Sequence, residues 1–217
     1  MAKAQASSNL APGTIVVGGT GRVAVEPDVA DLQLGVSIAR PTVNAARADA
    51  AAAMTSILAA VRAAGIADPD IRTTLVSVQP RYDYRDGKPP VLTGYDLSNS
   101  VQVTVRDLAA LGAVIDGSLG AGATSMDSLS FRLDDPTDAE RAARLAAVAQ
   151  ARSRADVLAE AAGVSIVAVS DIVEGGGPGP GYPQPKAARM MLADSATPVQ
   201  AGTTEVSVSV SVTFRLG

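Results

Sequence analysis

Carboxylates, arginines and one glycine-rich turn are the features of this chain whose residue types could do chemistry. The 217 residues include no histidine and no cysteine, which excludes a Ser-His-Asp triad, a thiolate nucleophile and zinc sites of the usual Cys or His type. Two carboxylates alone can hydrolyse a glycosidic bond, but the sequence places no such pair across a cleft. The residues alone therefore reveal no chemical activity, and we predict no catalytic, cofactor-binding or metal-binding residues.

Acidic residues cluster where the sequence predicts the start of a long helix. They are Asp134, Asp135, Asp138 and Glu140. Hard cations bind oxygen ligands of this kind, but acidic residues also stabilise the positive end of a helix dipole. The spaced acidic pattern of a calcium loop is absent from the sequence, so the structural interpretation is favoured.

The glycine-rich turn, Gly19-Thr20-Gly21-Arg22-Val23-Ala24, matches the loose G-x-G-x-x-A pattern of dinucleotide-binding loops. That chemistry needs a helix directly after the turn, because the helix N-terminus receives the pyrophosphate. Here Glu26-Pro27-Asp28 and a second predicted strand follow instead. Glycines inside an alternating strand predict a bulge or a close approach of another backbone.

Arginines on the same predicted long helix could line a groove for nucleic acid. They are Arg141, Arg144, Arg152 and Arg154, and Glu140, Asp156 and Glu160 lie on the same helix. Such a mixture is typical of a solvated helix face. The chain has only four tyrosines, two phenylalanines and no tryptophan to stack on bases, and its net charge is −4. We predict no nucleic-acid partner.

The composition is that of a folded chain with a large core. Hydrophobic residues make up 47% of the sequence and charged residues 18%, which excludes global disorder. Aromatic residues are scarce, so aliphatic side chains must fill the core. No apolar stretch reaches the roughly 18 residues of a membrane span, and the start of the chain lacks the apolar centre of a signal peptide. We predict no integral membrane segment.

Alternating apolar residues predict a series of strands. Their ranges are 14–25, 29–38, 71–79, 99–105, 126–133, 164–173 and 206–216. The turn residues Glu26-Pro27-Asp28 predict a hairpin between the first two strands. A second hairpin with a long tip is predicted around 83–90, since this segment (DYRDGKPP) is rich in turn residues. The last strand alternates so regularly that it predicts an antiparallel sheet with one wet face.

Three helices are predicted, two of them long. Thr42 is expected to cap the first, which ends at Ala64 before Gly65. Its predicted apolar stripe is Val43, Ala46, Ala50, Met54, Ile57, Val61 and Ala64. Asp107 is expected to cap a short helix over 108–119. The second long helix is predicted from Asp135-Pro136 to Ala162, and its expected inward residues are Leu145, Val148, Ala155, Leu158 and Ala162.

A weak internal echo joins the two halves of the chain. In each half a strand, a proline turn, a long alanine-rich helix, a glycine and a further strand follow one another. The sequence therefore predicts an α+β fold, with an antiparallel sheet packed on two long helices plus a short one and a strand-helix-strand unit used twice against a shared sheet. Two short domains are the alternative, but no linker is visible. We predict a disordered segment over 1–13 and a single domain over 14–217, with a mobile Gly/Pro loop within 175–203.

Several short motifs in the same order resemble the SIMPL domain, a bacterial family of largely unknown biochemical function. They are the start IVVGGTG, Pro27-Asp28-Val29-Ala30, Asp70-Ile71-Arg72-Thr73, Gly94-Tyr95 with Ser98-Asn99, and Pro198-Val199-Gln200-Ala201-Gly202. The residues of interest as a family pattern are Pro27, Asp28, Arg72, Thr73, Gly94, Tyr95, Ser98 and Asn99. Each also has an ordinary structural explanation in turns and strand starts.

The resemblance implies an α+β fold, export to the periplasm or cell envelope, an association with stress tolerance and, in some members, assembly into ring-like homo-oligomers. The predicted function is accordingly a non-enzymatic envelope protein that works through self-assembly as a ring or scaffold. Candidate interface residues are Tyr82 and Tyr84 in the second hairpin, with Met190 and Met191 after the Gly/Pro loop. The alternative is a monomeric or dimeric module that binds a small or peptide ligand in a helix–sheet groove, with 175–192 as a lid.

Overall fold

The computed structural model describes residues 13–85, 89–175 and 197–217. The strands are β1 (Thr14–Val25), β2 (Val29–Arg40), β3 (Ile71–Asp83), β4 (Val91–Val105), β5 (Ser125–Arg132), β6 (Ile166–Gly175) and β7 (Thr204–Leu216). The helices are α1 (Val43–Ala63), α2 (Leu111–Gly120) and α3 (Thr137–Ala162). These elements confirm the predicted α+β class. None of the helices in the described residues is long and apolar enough to cross a membrane.

The chain forms two compact units. One, the four-stranded unit, contains an antiparallel sheet in the order β3-β4-β2-β5 together with α1 and α2. The other, the three-stranded unit, contains an antiparallel sheet in the order β1-β7-β6 together with α3. The strand–helix–strand order occurs twice along the chain, but β5 and β6 lie in different sheets. The expected shared sheet is therefore not observed, while a single domain stays a prediction.

The core of the four-stranded unit lies between the sheet and α1. Thr42 caps α1 as predicted, because its hydroxyl accepts a hydrogen bond from the Ala45 N–H at 3.3 Å. The residues of α1 that are buried are Ala46, Ala50, Met54, Ile57 and Val61, which confirms most of the predicted stripe. Alternate residues of β2 face them, so that Leu32 and Leu34 are fully buried. Asp107 caps the short helical turn before α2 by accepting from the Ala109 N–H.

The predicted hairpin between the first two strands is wrong. β1 pairs with β7 along its whole length, whereas β2 pairs with β4 and β5. Pro27, which connects the two strands in the sequence, is buried, and the Asp28 N–H donates to the Arg132 carbonyl at 3.2 Å. The three connecting residues thus lead into the β2–β5 ladder rather than reversing the chain. The alternating apolar residues of β7 pack in the same core as those of β1.

The predicted inward face of α3 is also wrong in most positions. Leu145, Val148 and Leu158 are 66%, 36% and 49% exposed, and Ala162 is exposed. The buried residues are alanines four apart, namely Ala143, Ala147, Ala151, Ala155 and Ala159. Only Ala155 was among the expected inward residues.

Close contact between α3 and β1 explains this reversal. A Cβ placed on Gly21 would overlap the Ala143 carbonyl oxygen, and one placed on Gly19 would overlap the Ala147 carbonyl oxygen. The helix backbone therefore lies directly on the glycines, and only alanine-sized side chains fit between helix and sheet. This confirms the predicted close backbone approach at the glycine-rich turn.

Candidate functional site

The outer end of the β3–β4 hairpin extends past the rest of its sheet. Arg40, the last residue of β2, lies opposite Tyr95 of β4. Pairing between β3 and β4 continues beyond this point to Asp83 opposite Val91. We call the segments 81–85 and 89–94 the arm. Residues 86–88 at its tip lie outside the described residues.

Apolar and aromatic side chains of the arm are open to solvent. Tyr82 is 43% exposed and Tyr84 is 76% exposed, and their ring centroids are 6.4 Å apart. Val91 and Leu92 on the opposite strand are 59% and 46% exposed. A two-stranded hairpin is only marginally stable in water by itself. The described residues of the arm thus present apolar and aromatic side chains to solvent.

An ion pair and a tight contact lie at the base of the arm. There Arg81 donates to Asp96 at 2.9 Å, whereas Arg85 donates to Asp83 at 2.7 Å near the tip. Gly94 has a φ of 156°, and a Cβ there would lie 2.6 Å from the Arg40 carbonyl oxygen. Only glycine permits this approach between the arm and the end of β2. Gly94 thus allows the arm to lie close to the end of β2, and the neighbouring Tyr95 lies opposite Arg40 and Pro80.

The edge strand β3 continues the apolar surface of the arm. Val76 and Val78 lie opposite Asn99 and Leu97, on the side of the sheet that carries α1. Because α1 packs on β2 and β4, these two valines are left 65% and 40% exposed. We call Val76 and Val78 the β3 edge. Exposed apolar edge strands are typical sites of pairing with another chain.

The remaining residues of the family pattern lie in the four-stranded unit and do not form one cluster. The Asp28 carboxylate accepts a hydrogen bond from the Asp134 N–H at 2.8 Å. Arg72 donates to the Gln102 side chain at 2.7 Å, and its neighbour Thr73 lies opposite Val101. Ser98 lies opposite Ser37 and Ser77. The Asn99 Oδ1 atom is buried and has no hydrogen-bond partner in the described part of the chain.

A charged network that the sequence analysis missed links β2, β4 and β5 to the segment before α3. Arg132 donates to Asp31 at 2.8 Å, and Arg106 donates to Asp70 at 3.0 Å and to Asp134 at 2.6 Å. Asp134 was predicted only as part of an acidic helix start, and pairing across strands has no local signal in the sequence. Asp135 does act locally, since it accepts a hydrogen bond from the Thr137 N–H.

This network shifts the pKa values of its members. Partial burial acts to raise the pKa of Asp31, but hydrogen bonds from Arg132 and Thr104 outweigh it and hold that pKa below the ordinary value. Hydrogen bonds from Arg106 and then Arg132 lower the pKa of Asp134. Both carboxylates are thus held in their charged form, which favours a structural role over proton transfer.

The described residues include no group of three or more His, Cys, Asp or Glu side chains that could hold a metal ion. Two of the four arginines of α3 pair with carboxylates: Arg144 binds Glu140 and Glu174, and Arg152 binds Asp156. The predicted mixed face of this helix is therefore confirmed. Met190 and Met191, the other candidate interface residues, lie outside the described residues.

This fold and site define a class of protein. It is an α+β protein with antiparallel sheets and an exposed arm, and its described residues include no cluster of metal ligands. Residues 15–214 match the family model SIMPL, whose description is protein of unknown function (DUF541). The chain belongs to this family, as the sequence resemblance predicted.

Curated relatives are similar over most of the chain. The 26 kDa periplasmic immunogenic protein of Brucella melitensis is 38% identical over 215 residues, which cover 94% of this chain and 85% of the relative. The uncharacterized protein YggE of Escherichia coli K12 is 34% identical over 145 residues, which cover 67% of this chain and 58% of that protein.

Proposed function

We propose that this chain is a non-enzymatic protein of the periplasm or another part of the cell envelope that acts by assembling with copies of itself. The observation that carries the proposal is the β3 edge together with the arm. Val76, Val78 and Tyr82 form an apolar strip along an edge strand, and the structure of one chain leaves them exposed. The location is supported by the relative named as a periplasmic protein.

A second copy of the chain is the partner that this strip fits best. Most soluble oligomers are homo-oligomers, and strand pairing across a symmetry axis buries the same edge of both subunits. Pro80 lacks an N–H and so limits main-chain pairing near the arm. We infer that main-chain bonds form along 71–79 and that Tyr82, Tyr84 and Leu92 contribute side-chain contacts beyond it.

The test introduces charge on the β3 edge. The double variant carries Val76→Lys and Val78→Lys. It places two charged side chains where the proposed assembly buries two valines, which disfavours edge pairing. Light scattering on a size-exclusion column should show that the mass falls toward that of a 21.8 kDa monomer. Leu145→Lys on α3, 66% exposed, is the matched control and should keep the wild-type mass. Circular dichroism confirms that each variant is folded.

An unchanged mass of the double lysine variant, with the fold intact, would contradict the proposed interface. The role in stress tolerance that the family resemblance implies stays a prediction.

One observation favours the alternative of a ligand-binding module: an open groove of about 560 Å³ runs between β1 and α3.

A further inference from the structure

The groove between β1 and α3 has apolar walls and one cationic group. Val16 and Val17 line it from β1, and Val157, Leu158 and Arg154 line it from α3. Val16 and Val157 are each 64% exposed and Leu158 is 49% exposed. Its volume of about 560 Å³ falls in the range of ligand sites in proteins. The groove lies entirely within the three-stranded unit.

In the described part of the chain β1 is an edge strand, and the backbone groups on its outer side along this groove pair with no other strand. The Gly13 carbonyl accepts from the Leu216 N–H of the β7 side at 2.9 Å. In an antiparallel pair the direction of N–H and C=O alternates along the strand, so odd-numbered residues of β1 face β7 and even-numbered residues face the open edge. The N–H and C=O groups of Thr14 and Val16 therefore point to the open edge. Only an extended chain satisfies such groups in register.

Side chains of α3 close the same edge at one end of the groove. Arg154 donates to the Gly18 carbonyl at 2.7 Å, and the Gln150 side chain accepts from the Thr20 N–H at 2.8 Å. An added strand beside Thr14 and Val16 must consequently end or turn away at Gly18. The open part of the edge accommodates a short peptide terminus rather than a long strand.

The charge at the closed end selects which terminus fits. The ion pairs of α3 in the described part of the chain use Arg144 and Arg152 and leave Arg154 without a carboxylate. One nitrogen of Arg154 binds a neutral carbonyl, so other guanidinium N–H groups can still donate to an anion. A peptide that runs parallel to β1 places its terminal carboxylate next to Arg154. An antiparallel peptide would place its cationic amino terminus there instead.

We propose that this groove binds the C-terminal tail of a partner polypeptide as a parallel strand added to the edge of β1. Backbone groups of Thr14 and Val16 hold the tail extended, apolar side chains of the tail pack on Val157 and Leu158, and Arg154 binds the terminal carboxylate. This site goes beyond the proposed self-assembly, because it lies on another strand and another unit than the β3 edge.

The experiment uses the full chain and a defined probe. The probe is a pentapeptide of alternating valine and threonine that ends in valine, labelled with fluorescein at its amino terminus, with either a free carboxylate or an amide at its C-terminus. Fluorescence anisotropy should show that the wild-type chain binds the carboxylate form about tenfold more tightly than the amide. Arg154→Gln should remove this preference, while Arg141→Gln, an exposed arginine of the same helix, should retain it.

A proline variant tests the added strand directly. Val16→Pro removes an N–H that faces the open edge and that β7 does not use, so the fold should persist while binding falls more than tenfold. Ala24→Pro changes an equivalent open-edge position outside the groove and should bind the probe like the wild type. Thermal melts establish that both variants are folded.

The binding measurements would overturn the proposal if they showed no binding of either probe by the wild type, equal binding of carboxylate and amide, or unchanged binding by a folded Val16→Pro variant. A fall in mass by light scattering for Val16→Pro would also overturn it, because the occupant of the groove would then be a second copy of this chain. Loss of assembly in the lysine variants of the β3 edge, with probe binding intact, would leave this site standing and separate it from the proposed assembly.

Discussion

One methyl group at Gly21 is enough to test how α3 lies on β1. An added Cβ would overlap the Ala143 carbonyl oxygen and lie 2.6 Å from the Ala147 nitrogen. The atoms it meets belong to helix backbone and cannot rotate away, so the whole helix has to move. We expect Gly21→Ala to lower the free energy of unfolding by about 2 to 3 kcal/mol, as measured by urea denaturation.

Gly117 provides the matched control for this substitution. It lies inside α2, and a Cβ there would meet nothing within 4 Å. Gly117→Ala should therefore leave stability unchanged or raise it by up to about 1 kcal/mol, since alanine is the better helix former. If both variants had the same stability, the close approach at Gly21 would be refuted.

Acid should weaken the four-stranded unit through Asp31. The folded chain holds the pKa of this carboxyl below its ordinary value of 3.8, burial being outweighed by the hydrogen bonds from Arg132 and Thr104. The charged form therefore contributes stability above pH 3.8, and this contribution is lost as the pH falls through the lower folded-state pKa. Asp31→Asn should cost about 1 to 2 kcal/mol at pH 7.

Urea denaturation at a series of pH values between neutral and acid checks this prediction. The difference in stability between the wild type and Asp31→Asn should shrink as the pH falls. A difference that stayed constant across this series would contradict the prediction, because it would show that the charge of Asp31 contributes nothing to stability.

At the scale of elements, α3 buries small side chains and exposes large apolar ones, which is the reverse of the usual pattern. Ala147 is fully buried, whereas Leu145 is 66% exposed. Ala147→Leu should destabilise the chain by about 2 to 3 kcal/mol, because the helix lies too close to β1 for a larger side chain. Leu145→Ala should change stability by no more than about 0.5 kcal/mol. Thermal and urea unfolding of the two variants measure this difference. If Leu145→Ala were the more destabilising change, the result would support the orientation of α3 predicted from the sequence, with Leu145 facing inward.

The contrast between α1 and α3 shows which elements a sequence can predict. The stripe of α1 contains Met54, Ile57 and Val61, which are large and apolar, so periodicity alone identified its buried face. In α3 the large residues lie outside, and alanine occurs on every side of the helix. Gly19 and Gly21 on β1 determine which face of α3 is buried, and they lie more than a hundred residues before α3 in the sequence.

At the scale of the whole molecule, strand pairing was the part of the fold that the sequence did not reveal. β1 and β7 stand at opposite ends of the chain, and β2 pairs with β4 and β5 instead of its neighbour. Local turn residues predict reversals, but they carry no information about partners so far apart. The arm was predicted from turn residues and tyrosines, whereas the exposed valines of the β3 edge follow only from the order of the sheet.

The absolute mass of the wild-type chain in solution tests the central claim most directly. Light scattering after size exclusion, at several protein concentrations in the micromolar range and at two salt levels, measures it. Self-assembly through the β3 edge and the arm predicts one discrete species whose mass is a multiple of 21.8 kDa and does not change with concentration. A monodisperse species of 21.8 kDa across this range would contradict the account.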